Sequence, residues 1–387
     1  MNIIPRTHGA GSFVNFPCIL QHRPASDHLP SRPLCVFPPN IARVEENNVT
    51  PYRSVITAPA AWTNASVGGK AGLTHHLTQA QLAAFDAVLA RTRHLKPQQI
   101  TRADFDHPEI AALAAHIADT IRHGNGFILL AGVTRETHGE DDMERIYWGI
   151  GTHLGDAATQ SMAGDRLGHV RHVKDDPVAR AYRSNEELTP HTDSYRLAGL
   201  MCLQRAETGG ASTIVSSLAI HNEILATRPD LLEPLYEGYY YAVSEAKFSS
   251  HPFTDFKIPV FCCLDGMVSC CYVRSFMERA AELRGETLPP LLVEALDLFD
   301  AIAARDDIGI SFMLEPGEMM LWHNFQMLHA RGAFQDSAEH SRHLLRLWLR
   351  LENDRPIVDA ILRRAKIYER VYEEQSGRIP ESMLAGA

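Results

Sequence analysis

Beyond residue 180 the chain is a succession of short apolar or alternating runs separated by Gly, Pro and Asp, and this pattern constrains the fold most. Runs of that length with turn residues between them build an all-β barrel or sandwich, not a helical bundle. The strands are expected at 197–203, 212–216, 239–243, 260–264, 267–273, 319–322 and 329–334. Two helical stretches interrupt them, 220–228 and 290–304. In the second, Leu292, Ala295, Leu296, Leu298 and Phe299 form an apolar side.

Upstream the texture differs. Pro5, Pro17, Pro24, Pro30, Pro33, Pro38 and Pro39 break any long element over residues 1–70, which predicts an irregular arm lying on the body. Thr78-x-x-Gln81 resembles a capping box, and Leu82, Phe85, Val88 and Leu89 keep helical spacing to about Arg91. A second helix is expected from Pro108 to near Gly124 with Ile110, Leu113, Ile117 and Ile121 on one face, and a third over 140–154. Between them, Gly126-Phe-Ile-Leu-Leu-Ala-Gly132 has the pattern of a buried strand. The expected division is an arm plus helix over 1–95 and a β domain with helical insertions over 96–387.

Composition excludes several classes. With 45% hydrophobic and 22% charged residues the 387-residue chain is an ordinary folded protein. Its net charge of -10 would repel a phosphate backbone, so nucleic acid is not an expected partner. No run approaches a spanning helix and the N-terminus lacks a leader pattern, so a cytoplasmic protein away from membranes is expected. Homo-oligomerisation stays open. Seven cysteines do not suit a disulfide framework. The doublets Cys262-Cys263 and Cys270-Cys271 flank Asp265-Gly266, which reads as a hairpin turn. Adjacent strand residues face opposite sides, so the four thiols cannot converge on one ion.

Two stretches carry chemistry. In an extended Leu188-Thr-Pro-His-Thr-Asp193, His191 and Asp193 project from the same face. One imidazole and one carboxylate are two thirds of the facial triad of non-haem Fe(II) oxygenases, which needs a second histidine. The stretch 316–331 holds two, His323 and His329. Taken alone, a His-x-Asp is far more readily a satisfied surface pair than a metal site. The second stretch, Arg342-His-Leu-Leu-Arg-Leu-Trp-Leu-Arg-Leu351, divides by parity. Leu345, Leu347, Leu349 and Leu351 share one face; Arg342, Leu344, Arg346, Trp348 and Arg350 share the other. Such a cationic face can line a polar cavity.

Together these blocks, with Thr208-Gly-Gly-Ala-Ser-Thr-Ile214, Pro316-Gly-Glu-Met319 and Leu328-His-Ala-Arg331, resemble the taurine catabolism dioxygenase (TauD/TfdA) family over about residues 100–355. The resemblance implies a mainly β fold with flanking helices, a double-stranded β-helix or jelly roll. It implies an Fe(II)- and 2-oxoglutarate-dependent dioxygenase with iron on His191, Asp193 and His329. It further implies 2-oxoglutarate on Arg342 with support from Arg346, and a hydroxyl after the Gly-Gly turn, Ser212 or its competitor Thr213. Members of the family decarboxylate the cosubstrate to succinate and CO2, consume dioxygen and oxidise a substrate C–H bond. His323 departs from the family's usual Asn-Asn and is a rival ligand by residue type, but His329 opens the matching His-x-Arg strand.

The substrate is expected to be a small carboxylated metabolite or natural-product intermediate, lined by candidates Asn185, Tyr195, Lys247, His251 and Arg274. Arg274 or Lys247 could pair with its acid group. The alternative from another class is an inactive metal-binding jelly roll acting as a sensor, which would not need the arginine pair. A zinc hydrolase is disfavoured by the lack of a His-Glu-x-x-His helix or serine elbow.

Overall fold

The computed structural model describes residues 50–161, 164–174, 183–243, 251–351 and 354–375. The arm expected over 1–70 lies outside the described residues as far as residue 49.

A seven-stranded sheet forms the centre. In spatial order it runs Thr74–His76, Phe127–Ala131, Met319–His323, Leu197–Gln204, His343–Arg350 and Asp156–Ala157, with Gly168–Arg171 also on the His343–Arg350 strand. Its strands alternate between two cores. Leu345, Leu347 and Leu349 join Met319, Leu321, Ile128 and Leu130 on the face covered by the helices Gln79–Thr92, Pro108–Arg122 and Glu140–Leu154. Leu344 and Trp348 join Met320, Trp322, Phe127 and Leu129 on the opposite face. The period of two thus makes one strand serve two apolar layers.

Packed on that second face is a four-stranded sheet, Ile310–Phe312, Ser212–Ser216, Met327–Arg331 and Leu188–His191 in spatial order. Ile214, Met327, Leu328 and Ile310 supply its part of the shared core. Two sheets face to face with helices outside are the expected jelly-roll architecture. The site described below lies between these sheets.

The helices over 79–92, 108–122, 140–154 and 290–303 form where periodicity predicts them, and Thr78 and Gln81 close the capping box. At the cysteine hairpin, Met267 pairs with Leu264 across Asp265 (φ 51°) and Gly266 (φ 75°), a two-residue turn with both centres left-handed. Corrections are needed elsewhere. Residues 239–243 make only isolated bridges, Tyr239 to Ile258 and Ala242 to Phe253. The helical stretches are also more numerous than two, since Leu232–Glu237 and Arg274–Arg284 are helical. The second was legible in Met277, Ala280 and Ala281 on one side and Gly285 closing it in the left-handed region. A helix at Asp359–Gln375 follows the last strand.

Candidate metal centre

His191 ends the Leu188–His191 strand and His329 lies in Met327–Arg331, and the antiparallel register sets them directly opposite one another. Their ring centroids are 4.2 Å apart. Asp193 follows two residues after His191, and its Oδ2 lies 3.6 Å from His329 Nε2. One ligand atom from each of the three falls within 4.8 Å of the others. Two imidazoles and a carboxylate on one side of an ion leave the other side open, which is the facial arrangement.

Neighbouring groups orient these ligands. His191 Nδ1 donates to the Thr189 carbonyl at 2.8 Å, which leaves the Nε2 lone pair for an ion. Trp348 Nε1 donates to Asp193 Oδ2 at 2.7 Å and fixes the carboxylate's rotation. The Asn324 side chain brackets the Asp193 backbone, accepting from its N–H at 3.0 Å and donating to its carbonyl at 2.7 Å. Burial pushes His329 down to about 3, helped by the adjacent His191, and burial likewise lowers His191. Burial opposes the charge on Asp193, but His329, Arg346, His191 and the Trp348 bond outweigh it and hold the carboxyl low. Neutral imidazoles beside an ionised carboxylate are the protonation states a divalent cation requires.

The rival histidine is engaged elsewhere. His323 accepts from the Phe325 N–H at Nδ1, 3.2 Å, and donates from Nε2 to Asp354 Oδ2 at 3.0 Å. Both ring nitrogens are used. Arg196 completes this buried cluster, 3.1 Å from the same Asp354 oxygen.

Three arginines stand between the sheets. Arg346 is stacked on Trp348, its guanidinium carbon 4.1 Å from the ring, and its Nε donates to Gln160 Oε1 at 2.7 Å. Arg342 precedes the same strand and is only 4% exposed, yet its Nη1 has no partner among the described residues. Burial and the charge of Arg331 push Arg342 down to about 10. The Gly-Gly turn makes room for it. A Cβ on Gly210 (φ 76°) would come within 3.2 Å of Arg342 Cδ and Nε, and one on Gly209 would meet the Ala333 carbonyl at 2.2 Å. Of the two hydroxyls after that turn, Ser212 is buried and pairs in register with Arg331, so its side chain faces inward. Thr213 points outward instead, its Oγ1 2.7 Å from Ser311 Oγ on the neighbouring strand.

The expected substrate residues differ in their surroundings. Arg274 sits at the start of its helix with Glu278 at 2.8 Å, Asp297 at 2.7 Å and Asp300 at 2.8 Å, so its charge is already matched three times over. Tyr195 is buried against Trp348 with its hydroxyl on Glu369, 3.3 Å away. Asn185 is half-buried, and its carbonyl accepts from the Phe334 N–H at 3.0 Å. His251 is exposed. Lys247 lies outside the described residues. Arg331, buried and with Nε and Nη1 unpartnered among the described residues, is not among the residues the sequence singles out, although its His-x-Arg block was visible.

A jelly roll with a His-x-Asp…His centre defines the class of non-haem iron oxygenases. The comparisons make this specific: residues 91–348 match the model of the Taurine catabolism dioxygenase TauD, TfdA family, and the chain belongs to it. An FR-33289 synthase of Streptomyces rubellomurinus is 30% identical over 78% of this chain and 91% of its own length. A taurine hydroxylase-like protein of Stachybotrys chartarum is 26% identical over 74% and 77%. Among solved structures, asparagine oxygenase in complex with Fe(II), 2S,3S-3-hydroxyasparagine and succinate shares the fold at TM-score 0.57 and 16% identity. The match covers 72% of this chain and 93% of that one. The non-haem iron oxygenase OrfP with Fe and alpha-ketoglutaric acid matches at TM-score 0.52 and 14% identity, covering 72% and 94%.

Proposed function

We propose that this chain is an Fe(II)- and 2-oxoglutarate-dependent dioxygenase that hydroxylates a C–H bond of a small carboxylated metabolite or natural-product intermediate. The observation that supports it best is the coincidence of a ligand-ready His191, Asp193 and His329 with buried, incompletely partnered arginine on the same interior. The donor set fits iron: two neutral nitrogens and one carboxylate oxygen suit a divalent first-row ion and leave positions for a chelating cosubstrate and a gas. It fits 2-oxoglutarate as well, because a buried guanidinium with an orphaned N–H is stabilised by an arriving carboxylate. A sensor that had lost catalysis would gain nothing from such a group.

When bound, Fe(II), 2-oxoglutarate and dioxygen supply the oxidation, releasing succinate and CO2 and delivering one oxygen atom to the substrate. The protein's part is placement. His191 and His329 present lone pairs fixed by the strand register, and Asp193 is held by Trp348 and Asn324. Trp322, whose ring centroid is 4.7 Å from that of His329, and Trp348 wall the centre with apolar surface that excludes water. Arg346 places positive charge beside Asp193 and offsets the negative charge that the carboxylate and an anionic cosubstrate bring together. The acid group of the substrate belongs to this reading too. Arg274 is matched by its own carboxylates, which leaves Lys247, outside the described residues, as the other cation expected to meet it.

A screen of small carboxylic acids with the purified protein, Fe(II) and 2-oxoglutarate, reporting succinate, tests the proposal. One acid should raise succinate well above the uncoupled background and gain a mass of one oxygen. Succinate that never exceeds background with any acid, together with no binding of 2-oxoglutarate, would favour the sensor.

A further inference from the structure

We propose that Arg331 is a second anchor for the distal carboxylate of 2-oxoglutarate, acting with Arg342 as a two-guanidinium cradle; this rests on the cosubstrate assignment above. Arg331 is 5% exposed, and its Nη2 donates to the Glu186 carbonyl. Its Nε and Nη1 have no partner among the described residues. Arg331 and Arg342 both stack on Phe334, with guanidinium carbons 4.9 and 5.2 Å from that ring. Two like charges held together in a dry interior, with three N–H-bearing nitrogens orphaned between them, lack an anion. A carboxylate offers about four lone-pair sites on two oxygens, enough for all three.

Position identifies which carboxylate. Arg331 lies two residues beyond His329 on the same strand face, on the order of 7 Å along it. That is the span from a metal-bound 2-oxo acid to the far end of 2-oxoglutarate. Against Leu188–His191 the register shifts by one residue between His329 and Arg331, the extra residue lying on the Leu188–His191 strand. Gly210 and the inward Ser212 close the far wall, so the cluster takes a small terminal group and not the body of a larger substrate.

The test is calorimetric titration, without oxygen, of the full-length Fe(II)-loaded protein with 2-oxoglutarate and with 2-oxobutyrate, which lacks the distal carboxylate. Arg331→Gln should weaken 2-oxoglutarate roughly ten- to hundredfold, the range for a lost charge-assisted hydrogen bond, and leave 2-oxobutyrate within about twofold. Equal losses for both ligands, or none for either, overturn the cradle. So does unchanged 2-oxoglutarate binding with a raised substrate KM, which would give the pair to the substrate's acid group. Wild-type protein that does not bind 2-oxoglutarate would instead sink the cosubstrate assignment itself. Thermal unfolding guards against misfolding: relief of repulsion should leave ligand-free Arg331→Gln at least as stable as wild type, while the rise in Tm on adding 2-oxoglutarate shrinks. A lower starting Tm with an undiminished rise would make Arg331 a packing residue. Arg331→Lys, which keeps the charge without the fork, should fall between wild type and Arg331→Gln in affinity.

Discussion

Two buried polar clusters border the same β core and differ in one respect. In the first, His323, Asp354 and Arg196 satisfy one another, with contacts of 3.0 and 3.1 Å to a single carboxylate oxygen. In the second, Arg331 and Arg342 repel one another, and no carboxylate among the described residues pairs with either guanidinium. A closed cluster holds the fold; an open one leaves room for a ligand to complete it. Residue type alone cannot separate them, since both hold buried charge beside strands of the same core. The count of partners separates them.

The largest effect expected from breaking this comparison is at the centre itself. His329→Ala should take turnover below detection and abolish stoichiometric Fe(II) binding, because ligands that act as a unit fail together. His323→Gln should bind Fe(II) as wild type does. Activity and metal titration on the two variants check this, and the reverse pattern would exchange the roles of the two histidines.

Next in size is the closed cluster. Asp354→Asn removes the acceptor shared by His323 and Arg196 and should destabilise the fold by ~3–5 kcal/mol, the usual consequence of orphaning a buried partner. Denaturant unfolding measures it. The 2-oxoglutarate affinity of the remaining folded protein should not change.

Arg342→Lys should weaken 2-oxoglutarate by about ten- to hundredfold with iron binding intact, since lysine keeps the charge and loses the planar fork. Titration of Fe(II)-loaded protein reads it directly, and an unchanged affinity would move the anchor to Arg346.

The smallest effect is on acid stability. Burial lowers His323 below its ordinary value, so as pH falls through about 6.5 the unfolded chain takes up a proton that the folded chain refuses. Burial raises Asp354, but His323 and Arg196 outweigh it and hold the carboxyl well below the usual range, so its contribution is complete above about 4 and fades below. Both signs agree: stability drops as pH falls. His323→Gln should flatten the decline as pH falls below about 6.5, measured by urea unfolding of metal-free protein on either side of that pH.

Much of this was legible in the sequence, for definable reasons. The period of two in Arg342–Leu351 separates the face of Leu345, Leu347 and Leu349 from that of Arg346 and Trp348, and the sheet buries both as parity requires. Asp265-Gly266 specifies its turn chemistry locally. What was hidden depends on distant chain. Arg274 reads as an available cation until the 290–303 helix brings Asp297 and Asp300 against it. Ser212 and its competitor Thr213 stay open in the sequence until strand pairing turns one in and the other out. Arg331 stood in plain view beside His329, but its missing partners can be counted only once the strands are assembled.

Iron on His191, Asp193 and His329 and the cosubstrate on the open arginine cluster would share one interior. Anomalous diffraction at the iron edge, from crystals grown without oxygen in Fe(II) and 2-oxoglutarate, tests it most directly. One iron peak per chain is expected among those three side chains, with density running from it to Arg342 and Arg331. A peak at His323 and Asp354, or cosubstrate density that ends away from both arginines, would contradict it.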